Sequence, residues 1–260
     1  MKQRVVTAVI ALAILAGVVF LLPPVATEVA LALVLLAAAW EWSGFLKSES
    51  VAVRLGYVLF IGAALALVAT VLTGRVETVL LAALAWWLGA FAWTFFYPTP
   101  VPAVVRWLGG VFVIVPMYAA LVALLAVSPR MLMFALLIVW VADSGAFFAG
   151  KRFGRIKLAP SISPGKTWEG VIGGLAAVLL LALAAAAVSG LDPVFFVPLC
   201  LAVACISIVG DLTVSMFKRD AGLKDSGFLF PGHGGVLDRI DSIAAAAPLF
   251  AIGLMWLGTR

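Results

Sequence analysis

Hydrophobic residues run through this chain in nine long blocks, and polar residues gather only in short gaps between them until about residue 150. The blocks lie at approximately 5–22, 24–41, 54–73, 77–96, 105–127, 131–149, 169–189, 193–213 and 239–257. About 20 apolar residues in a helix cross roughly 30 Å of hydrocarbon, and every block is close to that length. The pattern predicts an all-α, polytopic integral membrane protein of about nine transmembrane helices. Only Pro23-Pro24 divides the first two blocks. The start, Met1-Lys2-Gln3-Arg4 ahead of an apolar run, has the form of a signal peptide. Because eight further spans follow, the expectation is an uncleaved first helix.

Composition agrees with lipid as the solvent. Of 260 residues, 65% are hydrophobic and 11% charged, with mean hydropathy +1.24. A soluble domain carries roughly 25% charged residues. The net charge of +5 does not point to nucleic acid, because the basic residues lie between spans and form no soluble face. They instead report topology. Counted on alternate sides of nine spans, all Lys and Arg fall on one side except Arg75, Arg130 and Arg260. The positive-inside rule then places the N-terminus and both long polar loops in the cytoplasm and the C-terminus outside; the expected location is a cytoplasmic (inner) membrane. Trp40, Trp42, Trp107 and Trp168 stand near span ends and fit an interfacial belt. Cys200 and Cys205 share one apolar run without metal or disulfide spacing and read as buried, inert thiols. There is no internal repeat and no matched pair of broken helices of the transporter kind.

Residues 1–130 carry almost no polar singularity and read as a lipid-embedded scaffold, whereas 131–260 hold the chemistry, with cytoplasmic loops at 150–170 and 211–239. Asp143 interrupts an apolar run, at a cost of about 2.5–3.5 kcal/mol near a helix centre. It is either a packing residue bonded to Ser144 or a contact for an ion or polar substrate. The loop from Gly150 to Gly170 holds five basic residues, the last of them Lys166 in the run Ser161-Ile162-Ser163-Pro164-Gly165-Lys166-Thr167. Ser163, Lys166 and Thr167 offer hydroxyls and an ammonium just before a helix, an arrangement suited to phosphate. It is not a P-loop, since Pro160 stands where the first glycine is required.

The densest polar segment is 210–242, GDLTVSMFKRDAGLKDSGFLFPGHGGVLDRIDS. Asp211 closes the eighth predicted span, and Asp238 and Asp241 open the ninth, on one helix face at i, i+3 spacing. Three carboxylates from two helix ends can converge on a hard cation, and Mg²⁺ favours one or two carboxylates plus phosphate oxygens. Lys218, Arg219, Lys224, His233 and Arg239 add positive charge for a polyphosphate. Gly232, Gly234 and Gly235 let a backbone approach a ligand closely. His233 is either a loop residue without a role or a donor to a phosphate or base.

These residues resemble the phosphatidate cytidylyltransferase family, also called CDP-diacylglycerol synthase. The family hallmark S-x-x-K-R-x4-K-D-x-[GSA]-x5-H-G-G-x2-D-R-x-D is met by Ser215, Lys218, Arg219, Lys224, Asp225, Gly227, His233, Gly234, Gly235, Asp238, Arg239 and Asp241. The run Asp143-Ser144-Gly145-Ala146 and the SISPGKTWEG loop resemble it too, so the likeness covers about the last half of the chain. It implies transfer of CMP from CTP to phosphatidate, giving CDP-diacylglycerol and pyrophosphate, with Mg²⁺ required and room for K⁺ as a second ion. It further implies a homodimer in membrane lipid.

On that reading Asp211 and Asp238 carry the metal, with Asp241 supporting or holding a second ion. Lys166, Lys218, Arg219 and Lys224 are expected at the phosphates of CTP and phosphatidate, joined by Ser163, Thr167, Ser215, His233 and Arg239. Asp143 is a supporting polar contact. Two other readings compete. A CTP-dependent polyprenol kinase would need a base for its hydroxyl acceptor, and the complete hallmark argues against it. A cation transporter would need a polar path across the bilayer, whereas these charges cluster on one side.

Overall fold

The computed structural model describes residues 2–227 and 234–258. Among the described residues nine α-helices follow one another: α1 Lys2–Leu21, α2 Pro24–Trp42, α3 Val51–Thr70, α4 Val76–Thr94, α5 Ala103–Val127, α6 Pro129–Phe153, α7 Trp168–Ser189, α8 Pro193–Asp220 and α9 Leu237–Trp256. Eight of them, α2 to α9, are long and apolar enough to cross a membrane, and α1 adds a shorter apolar stretch, Val9–Leu21. The protein is an all-α polytopic membrane protein. Helices dominate because each satisfies its own backbone hydrogen bonds, which lipid cannot do.

Proline and short polar side chains set several boundaries. Pro24, Pro129 and Pro193 open their helices, where a missing N–H costs nothing. Ser128, Thr167 and Asp192 cap α6, α7 and α8 through side-chain bonds to early backbone amides.

Helices α5 and α9 form the centre of the bundle, with 67% of their spans buried, against 22% for α3, α4 and α7, which face outward. The core near one end is aromatic. Trp42 stacks obliquely against Phe217 of α8 and edge-on to Phe45, at centroid distances of 4.9 and 5.2 Å. Its indole N–H donates to the Arg106 carbonyl at 2.9 Å. Gly109 and Gly110 of α5 leave room for these rings, since a Cβ at either would strike Trp42. Trp42 is therefore a fully buried core residue and not part of an interfacial belt, while Trp40, Trp107 and Trp168 are exposed. Both cysteines are free thiols, but only Cys200 is buried; Cys205 faces outward from α8.

Two boundaries differ from the sequence expectation. Helix α8 does not stop near Asp211 but continues to Asp220. Asp211, Ser215 and Lys218 stand at i, i+4 and i+7, so one helical face keeps them together and their partners offset the cost of burial. The loop at 150–170 is also more ordered than a loop, because β1 (Lys157–Ala159) pairs antiparallel with β2 (Ser163–Thr167). Ile162 pins this hairpin by packing into a small apolar cluster with Leu212 and Met216 of α8.

Asp220, at the end of α8, ties together three connections of the chain. It accepts from the Val101 amide at 3.2 Å and from Arg106 Nε at 3.0 Å, and pairs with Lys47 Nζ at 3.0 Å. The α2–α3, α4–α5 and α8–α9 connections thus meet at one end of the bundle. Lys47 is 43% exposed and Arg106 holds the same oxygen. Lys47→Ala is expected to cost less than ~1 kcal/mol and leave turnover near wild type. Thermal midpoint and turnover in detergent check this; a severe loss of turnover would place Lys47 in the reaction.

Candidate active site

The chemistry-bearing residues collect at the end of the bundle that Asp220 closes. Two features of the sequence bring them together. First, α6 and α7 touch backbone to backbone: a Cβ at Gly145 would lie 2.9 Å from the Gly173 carbonyl, and one at Gly174 would lie 2.7 Å from that of Ala142. This contact sets the start of α7, and the hairpin before it, beside the end of α6. Second, Gly210 lets α8 lie against Asp241, Ser242 and Ala245 of α9. Asp211 of α8 and Asp241 of α9 are then close enough to feel each other's charge.

Each carboxylate of the cluster meets a lysine or a hydrogen-bond donor. Lys166 reaches from β2 to Asp211 Oδ2 at 2.8 Å, and Ser215 Oγ donates to Asp211 Oδ1 at 3.2 Å. Lys218 pairs with Asp238 Oδ1 at 2.8 Å and approaches Asp241 Oδ2 at 3.8 Å. The other oxygen of Asp238 accepts from the backbone amides of Ser226 and Gly235, both at 2.9 Å. Asp241 Oδ1 accepts from the Ser242 amide at 2.8 Å. Lys218, Asp238 and Asp241 have side chains only 8–10% exposed, so these are pairs within the protein and not screened surface contacts. Asp143 of α6 lies within electrostatic reach of Asp211, Lys166 and Arg239, which joins it to the same cluster.

The remaining predicted residues are placed differently. Thr167 is buried and accepts from the Gly170 amide at 3.2 Å, so its hydroxyl caps α7. Ser163 opens β2 at the far end of the hairpin from Thr167. Arg219, the next residue along α8 from Lys218, is exposed and donates to the Leu223 carbonyl at 3.4 Å. Lys224 is exposed beyond the end of α8, and Arg239 is exposed on the first turn of α9. His233 and Gly232 lie outside the described residues. Gly234 adopts φ +81° and a Cβ there would approach Asp238 Oδ2 to 2.6 Å, so glycine is required twice over.

Beside the cluster is a cavity of about 410 Å³ between α6, α7, α8 and β2. Lys151, Lys166 and Asp211 give it one polar wall, and Leu175, Ala204 and Ile208 an apolar one. Such a space suits a ligand with an anionic head and an aliphatic remainder. A larger hollow of about 620 Å³ at the opposite end, around Phe20, Arg130 and Phe196, contains no carboxylate and no lysine.

The donor set of Asp211, Asp238 and Asp241 is all carboxylate oxygen, which is right for a hard cation. Among the described residues, however, no three Asp, Glu, His or Cys side chains are gathered tightly enough to hold a metal by themselves. Mg²⁺ does not require three, because one or two carboxylates suffice when phosphate oxygens supply the rest.

One participant escaped the sequence reading. Glu41, at the end of α2, is buried among the glycines of the hallmark and accepts from Val236 and Leu237 amides at 2.9 and 2.8 Å. The available signal was an acid inside an apolar span between two tryptophans.

The chain matches the sequence profile described as the cytidylyltransferase family over residues 2–257. It is 43% identical over 279 residues to the phosphatidate cytidylyltransferase of Pseudomonas aeruginosa, covering 98% of this chain and 97% of that one. It is 36% identical over 280 residues to the phosphatidate cytidylyltransferase of Haemophilus influenzae, covering 96% and 97%. A shorter match, 44% over 126 residues, is made with the same-named protein of Staphylococcus aureus, about half of each chain. The likeness that half the sequence carried in its motifs thus extends over nearly the whole length, and this chain belongs to the cytidylyltransferase family.

Proposed function

We propose that this protein transfers CMP from CTP to phosphatidate, releasing pyrophosphate and forming CDP-diacylglycerol. The observation that carries the reading is the full-length likeness to two phosphatidate cytidylyltransferases. The site's shape agrees with it, since a lysine–carboxylate cluster adjoins a cavity with one apolar wall.

In the reaction a phosphate oxygen of phosphatidate attacks the α-phosphorus of CTP. A new P–O–P linkage forms, the bond from the α-phosphorus to the bridging oxygen breaks, and that oxygen leaves with pyrophosphate. No general base is needed, because a phosphate monoester is already largely dianionic near neutral pH. Both reactants are anions, so the main work is to hold them in line and to neutralise charge as it shifts. In this reading Lys166 and Lys218 do so, each leaving its carboxylate partner to meet a phosphate. Arg219, Lys224 and Arg239, all exposed, attract CTP from water in this reading. Ser163, Thr167, Ser215 and His233 complete the phosphate contacts in this reading, with Thr167 also capping α7.

Asp211, Asp238 and Asp241 would hold Mg²⁺, with K⁺ as the second ion. Bound there, the metal would neutralise phosphate oxygens and make the α-phosphorus more electrophilic. Chelation is expected to stop turnover, and Mg²⁺ added back to restore it; full activity in the chelator would remove the metal from the scheme. Residues 1–130 act as scaffold and 131–260 as catalytic region, with Glu41 reaching from one to the other. The active end faces the cytoplasm of the inner membrane, supported by the bias of Lys and Arg. A homodimer rests on the family likeness, and its mass in detergent tests it.

The decisive assay uses purified protein, phosphatidate, Mg²⁺ and CTP labelled separately at the α- and γ-phosphates. Alpha label should enter the lipid and γ label should leave as pyrophosphate. Gamma label in the lipid would make the protein a kinase instead.

A further inference from the structure

Glu41 connects two segments almost 200 residues apart. The residue is 7% exposed, and its carboxylate takes three donors: Ser226 Oγ at 2.9 Å, the Val236 amide at 2.9 Å and the Leu237 amide at 2.8 Å. The first amides of a helix have no acceptor within it, and α9 begins with Val236 at its N-cap, a side chain that cannot accept. Glu41 supplies that acceptor from another helix, and its charge lies at the positive end of the α9 dipole. Gly227 and Gly235 sit directly against the carboxylate, so a Cβ at either would overlap it.

Ser226 is bound on both sides. Its hydroxyl donates to Glu41 and its amide to Asp238, while the Gly235 amide also donates to Asp238 Oδ2. Two stretches inside the hallmark, at Ser226 and at Gly235–Leu237, are thereby clasped between an acid of α2 and an acid of α9.

We propose that Glu41 is a positioning residue for cytidylyl transfer: by clasping Ser226 and the first amides of α9, it sets where Asp238 and Lys218 stand relative to the phosphates. The proposal rests on the reaction assigned above. Glu41 does not touch the apolar cavity wall on α7 and α8, so it orders the reacting end without contributing to lipid binding.

The test combines hydrogen exchange with kinetics on the full-length protein in detergent. In Glu41→Gln, one accepting oxygen becomes an NH₂ group facing N–H donors. The peptide containing Val236 and Leu237 should exchange faster than in wild type. kcat should fall about 10²-fold, the scale of a misplacement near 1 Å, while KM for phosphatidate stays unchanged. Glu41→Asp, one methylene shorter, should fall between the two. Unchanged exchange, or wild-type kcat in the folded fraction with only a lower thermal midpoint, would overturn the proposal. If Glu41→Gln does not fold, Ser226→Ala removes one of the three bonds, leaves both amide donors to Glu41 in place, and should lower kcat about tenfold with a smaller drop in midpoint; wild-type kcat there would equally overturn it. The exchange measurement needs no turnover, so failure of the assigned reaction, seen as no α-label transfer by wild type, is distinguishable from failure of the clasp.

Discussion

Asp238→Asn is expected to remain folded and membrane-inserted but to lose turnover by at least about 10²–10³-fold, the scale seen when one preorganised electrostatic group is removed from an active site. The two side chains have the same shape, so packing at the start of α9 survives. The bonding does not. One oxygen of Asp238 receives Lys218 and the other receives the amides of Ser226 and Gly235. Asparagine must turn its NH₂ either toward an ammonium or toward two N–H groups, and donor meets donor both ways. Of its two carboxylate partners Lys218 would keep Asp241, 3.8 Å away. Stability should fall by about 1–3 kcal/mol, the cost of leaving buried donors unmet. Turnover and thermal midpoint measured on the same preparation separate these effects. Near-normal turnover would take Asp238 out of the reaction.

Lys218→Met should have the largest effect on stability. Methionine matches the length of the lysine stem, so the change removes chiefly the charge. Asp238 and Asp241 then face each other across one turn of α9 without their shared ammonium, and both are about nine-tenths buried. Removing one partner of a buried ion pair costs about 3–5 kcal/mol. The thermal midpoint should drop sharply and turnover should disappear. Adding Asp241→Asn to Lys218→Met should recover much of the midpoint, because one of the two uncompensated charges is gone, yet turnover should stay lost. Recovery of turnover in the double variant would show that Lys218 serves packing and not the phosphates.

The spans were legible because each is a local property. A block of about 20 apolar residues specifies a helix in lipid regardless of its neighbours, and the predicted blocks fall within a few residues of most observed helices. The error at α8 came from reading hydrophobicity alone. Asp211, Ser215 and Lys218 lower the mean hydropathy of a span end, yet their spacing is helical and their partners lie inside the bundle. Trp42 failed for a related reason: tryptophan near a span end suits an interface, but two glycines on α5 open a space that buries it.

The candidate site was legible in kind but not in arrangement. The hallmark from Ser215 to Asp241 named the acids and bases, and the structure gathers Asp211, Lys218, Asp238 and Asp241 with Lys166 and Asp143. Arg219 and Lys224 remain exposed, without a contact to that cluster among the described residues. By itself, then, the sequence determined the solvent, the helices, the family and most of the charged groups, since hydrophobic runs and local motifs depend on neighbours along the chain. The tertiary structure alone decided which lysine meets which carboxylate, that Asp220 joins three connections, and that Glu41 clasps the hallmark from the far half of the chain. Those pairings depend on which helices lie side by side, and that follows from glycine-sized gaps and side-chain volumes summed over the whole bundle.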